Sequence, residues 1–152
     1  PAYLDGHVFV GDMSGQYFSV RCRDAETAWK HEDKDGGGVY AGAAVTGDAV
    51  VFASRGQKIL CLDGRRGAVL WSVKTKGEVD SSPVIAGKTV FVGSADGHVY
   101  GLGLADGKEV WRFRAGAEVN ASPAIARGRM VIGAGDGAVY CFGAKPAARS
   151  DE

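Results

Sequence analysis

Three side chains able to bind a polar ligand recur at a constant spacing in this 152-residue chain: Tyr40, Asp80 and Asn120. Each lies three residues before the start of a repeated phrase, and the three differ in type. A phenol, a carboxylate and an amide can hydrogen-bond a bound molecule, although Asx side chains also bond loop backbone close to them. We predict these three positions as candidate ligand positions.

A second group of reactive side chains lies in the segment "KHEDKDGGG", residues 30–38. His31, Glu32, Asp33 and Asp35 carry nitrogen and oxygen atoms that could bind a metal. A charged segment that ends in glycines is more often a solvated surface loop. We therefore predict a solvated loop and no metal site.

Motifs for catalysis are missing from the sequence, which has no nucleophile elbow, no phosphate-binding loop and no regular metal-ligand spacing. The cysteines are Cys22, Cys61 and Cys141, an odd number with no CxxC pair. We expect them to be small, partly buried thiols in strands. The sequence predicts no catalytic residue.

The charge balance and the lengths of the apolar runs exclude nucleic acid and a membrane span. Lys and Arg number 18, as do Asp and Glu, so no basic excess exists to neutralise phosphates, and we expect no nucleic acid. No apolar run approaches the roughly 20 residues of a membrane helix, and we expect no membrane span. Apolar residues make up 45% of the chain, a globular composition.

The spacing of 40 residues that separates Tyr40, Asp80 and Asn120 extends along most of the chain and defines a sequence repeat. It joins Pro83 to Pro123, and it also relates the pairs Gly93 and Gly133, Gly97 and Gly137, Tyr100 and Tyr140, and Trp71 and Trp111. The first copy begins at Pro1. It aligns with the second copy at an offset of 42 residues instead of 40, and this alignment pairs Trp29 with Trp71. Such a period indicates a repeat architecture.

Each complete copy contains four short apolar runs separated by glycine turns. Asp96-Gly97 predicts a two-residue hairpin turn, and Asp96 and Asp136 are predicted as turn residues, not calcium ligands. Because the runs are continuous and do not alternate, both faces of each sheet should be covered. Four-stranded antiparallel units of this length predict an all-β fold, the blades of a β-propeller. Tyr40, Asp80 and Asn120 would then lie at one mouth of its central channel.

The segment "SPVIAGKTVFVGSADGHVYGLGLADGKEVW", residues 82–111, resembles the pyrroloquinoline-quinone-type (PQQ-like) repeat. The resemblance extends over residues 1–142. It implies a docking motif in which each Trp packs on the glycine turn of a neighbouring blade, formed here by Trp29, Gly67, Trp71, Gly107, Lys108 and Trp111. The first copy departs from the pattern, because Ala25 occupies the position of Gly107.

We predict blades at residues 1–38, 39–78 and 79–118, an incomplete blade at 119–142 and a polar tail at 143–152. The fourth copy lacks its last strand, and the first begins on an inner strand with no extra strand to lend. We therefore expect about 3.75 blades from the C-terminal part of a seven- or eight-bladed propeller, with the remaining blades missing from this chain.

The resemblance implies a non-catalytic scaffold without a cofactor, located outside the cytoplasm. It would bind a protein, a peptide or an envelope component, as in the β-barrel assembly lipoprotein of bacterial outer membranes. One alternative is a fragment of a quinoprotein dehydrogenase that uses pyrroloquinoline quinone and calcium, but no cofactor residue of that class can be matched here. Another is the extracytoplasmic sensor domain of a signalling protein.

Overall fold

The computed structural model describes residues 1–143, and these residues form four antiparallel sheets in chain order. Three sheets have four strands each, and the last has three within the described range. The sequence prediction of an all-β propeller with four-stranded blades is therefore confirmed. We call the sheets blades 1 to 4. Gly143 ends the last strand, and the rest of the predicted tail lies outside the described residues.

The strands of each blade follow one another along the chain from the inner to the outer edge. Blade 1 contains β1 (Ala2–Leu4), β2 (His7–Gly11), β3 (Gln16–Arg21) and β4 (Thr27–Glu32). Blade 2 contains β5 (Ala44–Thr46), β6 (Ala49–Ser54), β7 (Lys58–Asp63) and β8 (Val69–Lys74). Blade 3 contains β9 (Val84–Ala86), β10 (Thr89–Gly93), β11 (His98–Gly103) and β12 (Glu109–Arg114). Blade 4 contains β13 (Ala124–Ala126), β14 (Arg129–Gly133) and β15 (Val139–Gly143).

The hairpin between the second and third strands of blade 3 has a longer turn than the sequence predicts. The amide of Ser94 donates to the carbonyl of His98 at 3.0 Å, which leaves three residues, Ala95 to Gly97, in the loop. The prediction of a two-residue turn is wrong. Asp96 accepts the amide of His98 and Gly97 takes a φ of +82°, the arrangement of a turn that ends in a left-handed residue.

The blades pack face to face around their inner strands. β1 contacts β5, β5 contacts β9, and β9 contacts β13, so that the short inner strands follow one another around a common axis. Three apolar clusters fill the spaces between successive blades, and the second and third strands of blade 2 are buried on both faces. This coverage on both faces agrees with the continuous apolar runs of the sequence.

Serine hydroxyls also join successive blades, at the entrance to the inner strands. Ser82 Oγ accepts the amide of Gly42, and Ser122 Oγ accepts the amide of Ser82, both at 2.8 Å and both from one repeat earlier in the chain. The serine of the repeated "SP" phrase therefore bonds the blade before its own.

The cysteines differ in their surroundings. Cys61 is buried in β7, while Cys22, in the turn after β3, and Cys141, in β15, are exposed. The expectation of partly buried thiols in strands is therefore wrong for Cys22, which is exposed and follows the end of its strand. It is also wrong about burial for Cys141, which lies in a strand but is exposed. Among residues 1–143, no helix is long and apolar enough to cross a membrane.

Candidate functional site

The segments that enter the inner strands are fixed by a repeated set of backbone hydrogen bonds. Carbonyl groups of each segment accept hydrogen bonds from the hairpin that joins the second and third strands of the same blade. The donors are the amides of Arg55, Ala95 and Gly135. Each segment also bonds the corresponding hairpin of the blade before it, as in the 3.1 Å bond from the Val79 amide to Ser54. One end of the channel is therefore built from entering segments alternating with hairpin tips.

Arg55, at the hairpin tip of blade 2, is the centre of a polar cluster at this mouth. Its Nε and Nη2 donate to the two carboxylate oxygens of Asp80 at 2.9 and 2.8 Å, a bidentate pair. Its Cζ lies 3.9 Å from the ring centroid of Tyr40, a cation–π contact. Glu78 Oε2 lies 3.5 Å from Arg55 Nε. We call these four residues the Arg55 cluster.

The Arg55 cluster is exposed to solvent, with Tyr40 51% accessible and the Arg55 side chain 40%. Hydrogen bonding to Asp80 raises the pKa of Arg55 above its ordinary value, and the charges of Asp80, Tyr40 and Glu78 act in the same direction. One cation and two carboxylates leave the cluster with a net negative charge. It can hydrogen-bond a polar ligand and attract a basic one.

The other blades have no equivalent of Arg55 in the described part of the chain. The corresponding hairpin positions hold Met13 in blade 1, Ala95 in blade 3 and Gly135 in blade 4. The cluster is therefore specific to the junction of blades 2 and 3 and is not required by the repeat.

The structure brings together two of the three predicted ligand positions. Tyr40 and Asp80 lie on either side of Arg55, whereas Asn120 is exposed on the corresponding segment of blade 4. Sequence reasoning missed Arg55. The signal that could have found it is the same one that identified the other positions, a residue that varies in type between copies.

The segment 30–38 packs against blade 2 more closely than predicted. Asp33 Oδ2 lies 2.5 Å from Lys58 Nζ, and the two side chains are 14% and 12% exposed. The backbone of Gly36 approaches Gly56 so closely that a Cβ on Gly56 would lie 2.3 Å from the Gly36 oxygen. The interpretation of this segment as a solvated loop is wrong at residues 30–32, which lie in β4, and at Asp33, which is held in a nearly buried ion pair.

Asp96 holds its own hairpin together. Its carboxylate accepts the hydroxyl of Tyr100 at 2.6 Å and the amides of Lys76 and His98. Burial opposes ionisation, but these hydrogen bonds outweigh it and hold the pKa of Asp96 below its ordinary value. Asp136 receives the hydroxyl of Tyr140 in the same way, at 2.8 Å.

Two of the tryptophans lie on glycine turns of the following blade. A Cβ added to Gly67 would lie 2.7 Å from the ring of Trp29, and one added to Gly107 would lie 2.8 Å from the ring of Trp71. The indole N–H groups donate to the carbonyls of Gly64 and Leu104, both at 2.8 Å. Lys108, whose ammonium lies 3.1 Å from Asp106, is on the exposed side of the second turn.

Trp111 has different neighbours. Its ring lies edge-on to Phe142, with centroids 5.1 Å apart, and stacks on Phe113. It lines an apolar cavity of about 680 Å³ between blades 3 and 4, whose wall also includes Ala86 and Ile125 of the innermost strands. Gly143, the last described residue, also lines this cavity.

Metal binding has no support in the described range. Within residues 1–143, no group of three or more His, Cys, Asp and Glu side chains is placed to hold a metal ion.

Four antiparallel sheets packed face to face around inner strands define an incomplete β-propeller of PQQ-like repeats. The chain belongs to the PQQ_2 family, described as outer membrane protein assembly factor BamB, whose model matches residues 17–145. No curated protein has a sequence that matches this chain.

Solved structures show the same fold at low sequence identity. BamB from Moraxella catarrhalis is similar with a TM-score of 0.82 and 22% identity over 91% of this chain and 46% of that chain. The computationally designed Ika4 protein has a TM-score of 0.82 and 17% identity, over 93% of this chain and 87% of that one. Quinohemoprotein alcohol dehydrogenase from Comamonas testosteroni has a TM-score of 0.78 and 15% identity, over 88% and 28%. The chain thus spans about half the length of the BamB structure.

Proposed function

We propose that this chain is a non-catalytic PQQ-like propeller that binds a protein or peptide partner outside the cytoplasm, through the Arg55 cluster. The observation that carries the proposal is the cluster itself. A bidentate Arg–Asp pair stacked on a tyrosine is exposed at the channel mouth, at a position where the other blades have Met, Ala or Gly. Arg and Tyr are enriched among the residues that dominate protein interfaces.

The chemistry of the cluster favours a partner with basic side chains. The carboxylates of Asp80 and Glu78 outnumber the single guanidinium, and Glu78 is 53% exposed. An incoming Lys or Arg could pair with Glu78 while Tyr40 supplies an apolar contact. The family description, an assembly factor of the outer membrane, supports a protein partner and a location in the cell envelope.

The test is selection of peptides on the full chain from a displayed library, followed by calorimetry with the selected peptide. Glu78→Gln should weaken binding at least tenfold, because it removes the exposed carboxylate that would pair with the basic side chain of the partner. The matched control is Arg65→Ala. Arg65 also forms an exposed pair, with Asp48 at 2.8 Å, but in the turns at the other ends of the strands. Equal binding by the two variants, or no selected peptide, would overturn the proposal.

A direct assay separates this proposal from a quinoprotein function. Pyrroloquinoline quinone and calcium are added to the full chain, and the protein is desalted. We expect no quinone absorbance on the protein. Stoichiometric retained quinone would contradict the non-catalytic scaffold.

A further inference from the structure

A cavity of about 320 Å³ lies between blades 1 and 2. Its walls include the turns after β1, β5 and β7, so it lies at the opposite ends of the strands from the Arg55 cluster. The side chains of Leu4, Phe9 and Val50 form its apolar wall, and the last two are 3% and 1% exposed. A cavity of this size, with an apolar wall and a few polar groups, can hold a small organic molecule.

Gly64 leaves this space open, because it has no side chain. One repeat later the corresponding residue is Leu104, which packs against the apolar cluster between blades 2 and 3. The backbone is bonded alike at both places. The amide of Gly64 donates to the carbonyl of Asp48, and that of Leu104 donates to the carbonyl of Lys88. The cavity is therefore a property of the junction between blades 1 and 2 and not of the repeat.

His7 supplies a hydrogen-bond acceptor beside the apolar wall. Its ring centroid lies 6.4 Å from that of Phe9, and its Nδ1 lies 3.0 Å from the carbonyl oxygen of Asp5. Because a carbonyl oxygen can only accept, Nδ1 donates the hydrogen, and Nε2 of the neutral ring is left as an acceptor. The second and third copies have Ala49 and Thr89 at this position, so the imidazole is not part of the repeat.

The charges around the cavity disfavour an anionic ligand. Among the described residues that line it, the one cation besides His7 is Arg65, which is already paired with Asp48 at 2.8 Å. Asp5 then gives the lining a net negative charge when His7 is neutral. A carboxylate would meet this charge without an unpaired cation to bind it, whereas a neutral hydroxyl donor would not.

We propose that this cavity binds a small phenol. The ring of the phenol packs against Phe9, an aromatic pair whose attraction adds to that of the buried apolar area. Its hydroxyl donates to Nε2 of His7, and a phenolic hydroxyl is a better donor than an aliphatic one because it is more acidic. The site is separate from the Arg55 cluster and does not rest on the proposed function.

The first test compares three probes of similar shape by NMR titration of the full chain. The probes are p-cresol, toluene, which lacks the hydroxyl, and p-toluate, which has a carboxylate in its place. The titrations are run at about pH 8, where a free imidazole is neutral. We expect p-cresol to bind about tenfold more tightly than either of the others. Equal binding of toluene, or tighter binding of p-toluate, would overturn the proposal.

The second test fills the cavity with the side chain that the repeat uses elsewhere. Gly64→Leu should weaken p-cresol binding at least tenfold, and the leucine is tolerated because Gly64 does not have a positive φ and Leu104 occupies the same backbone position. The matched control is Ala105→Leu, which adds the same side chain at an exposed position of the corresponding turn in blade 3. Circular dichroism establishes that both variants are folded.

A third variant tests the polar contact without filling the cavity. His7→Phe keeps an aromatic ring but removes the acceptor, and it should reduce the affinity for p-cresol to that for toluene. Glu78→Gln should bind p-cresol as the wild-type chain does, which separates this proposal from the proposed function. A wild-type chain without saturable binding of p-cresol, or unchanged binding by Gly64→Leu or His7→Phe, would overturn the proposal.

Discussion

The indole of Trp71 and the backbone of Gly107 form a close contact between blades 2 and 3. A Cβ on Gly107 would lie 2.8 Å from the ring, and the indole N–H donates to Leu104 at 2.8 Å. Gly107 also takes a φ of +69°, so two separate requirements, conformation and space, exclude a side chain there.

The first prediction separates these two requirements. Gly87 has a φ of +60° and nothing within 4 Å of an added Cβ, so Gly87→Ala should cost only the conformational part, about 1–2 kcal/mol. Gly107→Ala should cost about 1–3 kcal/mol more, because the methyl group displaces the ring of Trp71. The free energies of unfolding in urea measure both. Equal costs would mean that the contact with Trp71 is not tight.

The second prediction concerns the coupling of the same pair. Trp71 is 7% exposed, and Trp71→Ala should cost about 3–5 kcal/mol. In that background, Gly107→Ala should cost no more than Gly87→Ala does in the wild-type chain, because the ring is gone. A double-mutant cycle gives a coupling of about 1–3 kcal/mol if the contact is direct. Additive effects would contradict it.

The third prediction concerns the nearly buried ion pair of Asp33 and Lys58. Lys58→Met should cost about 3–5 kcal/mol, because it leaves the carboxylate without its partner in a poorly hydrated place. The double variant Asp33→Leu/Lys58→Met should recover much of that loss. Arg65→Ala is the control, since its pair with Asp48 is exposed and should contribute at most about 1 kcal/mol. Similar losses for Lys58→Met and Arg65→Ala would show that the first pair is well hydrated.

The fourth prediction follows from the lowered pKa of Asp96. A carboxylate whose pKa is lower in the folded state stabilises the fold above its ordinary pKa, and this contribution is lost as the pH falls through the folded value. Tyr100→Phe removes one hydrogen bond to the charge and should cost about 1.5–3 kcal/mol at neutral pH. The difference between wild type and variant should narrow as the pH falls below about 4. A difference that is constant with pH would contradict this role.

The fifth prediction concerns thiol reactivity. Burial raises the pKa of Cys61 to about 12, which keeps it protonated at pH values where thiol reagents act. In the native chain Cys22 should react readily and Cys61 only after unfolding. Mass spectrometry of partially labelled protein identifies the modified residues. Rapid labelling of native Cys61 would show that blade 2 opens frequently.

The constant repeat period predicted the propeller because blade geometry is repeated locally. The same reasoning failed for contacts between blades that occur at one junction only and are not repeated along the chain. Asp33 looked like one charge in a solvated loop, whereas its partner Lys58 lies in the following blade. No spacing in the sequence indicates that pair.

The sequence predicted Tyr40 and Asp80 of the candidate site but not Arg55. Tyr40 and Asp80 vary between copies at one repeat position, and this variation identified them. The sequence did not predict Arg55 because the hairpin of the second copy lacks the Asp-Gly pair of the later copies. There Gln57 has the positive φ that Gly97 and Gly137 have in blades 3 and 4. The pairs Asp96 with Tyr100 and Asp136 with Tyr140 were detectable, since the copies with Ser14 or Gly56 have Phe18 or Leu60 instead.

The hydroxyls of Ser82 and Ser122 accept amides located one full repeat earlier in the chain. Ser82 therefore carries both an acceptor for the blade before it and a donor for the blade after it. Duplication or deletion of the blade 3 repeat would leave every donor of this kind next to an acceptor. The gene could gain or lose this blade without any compensating substitution at these joints.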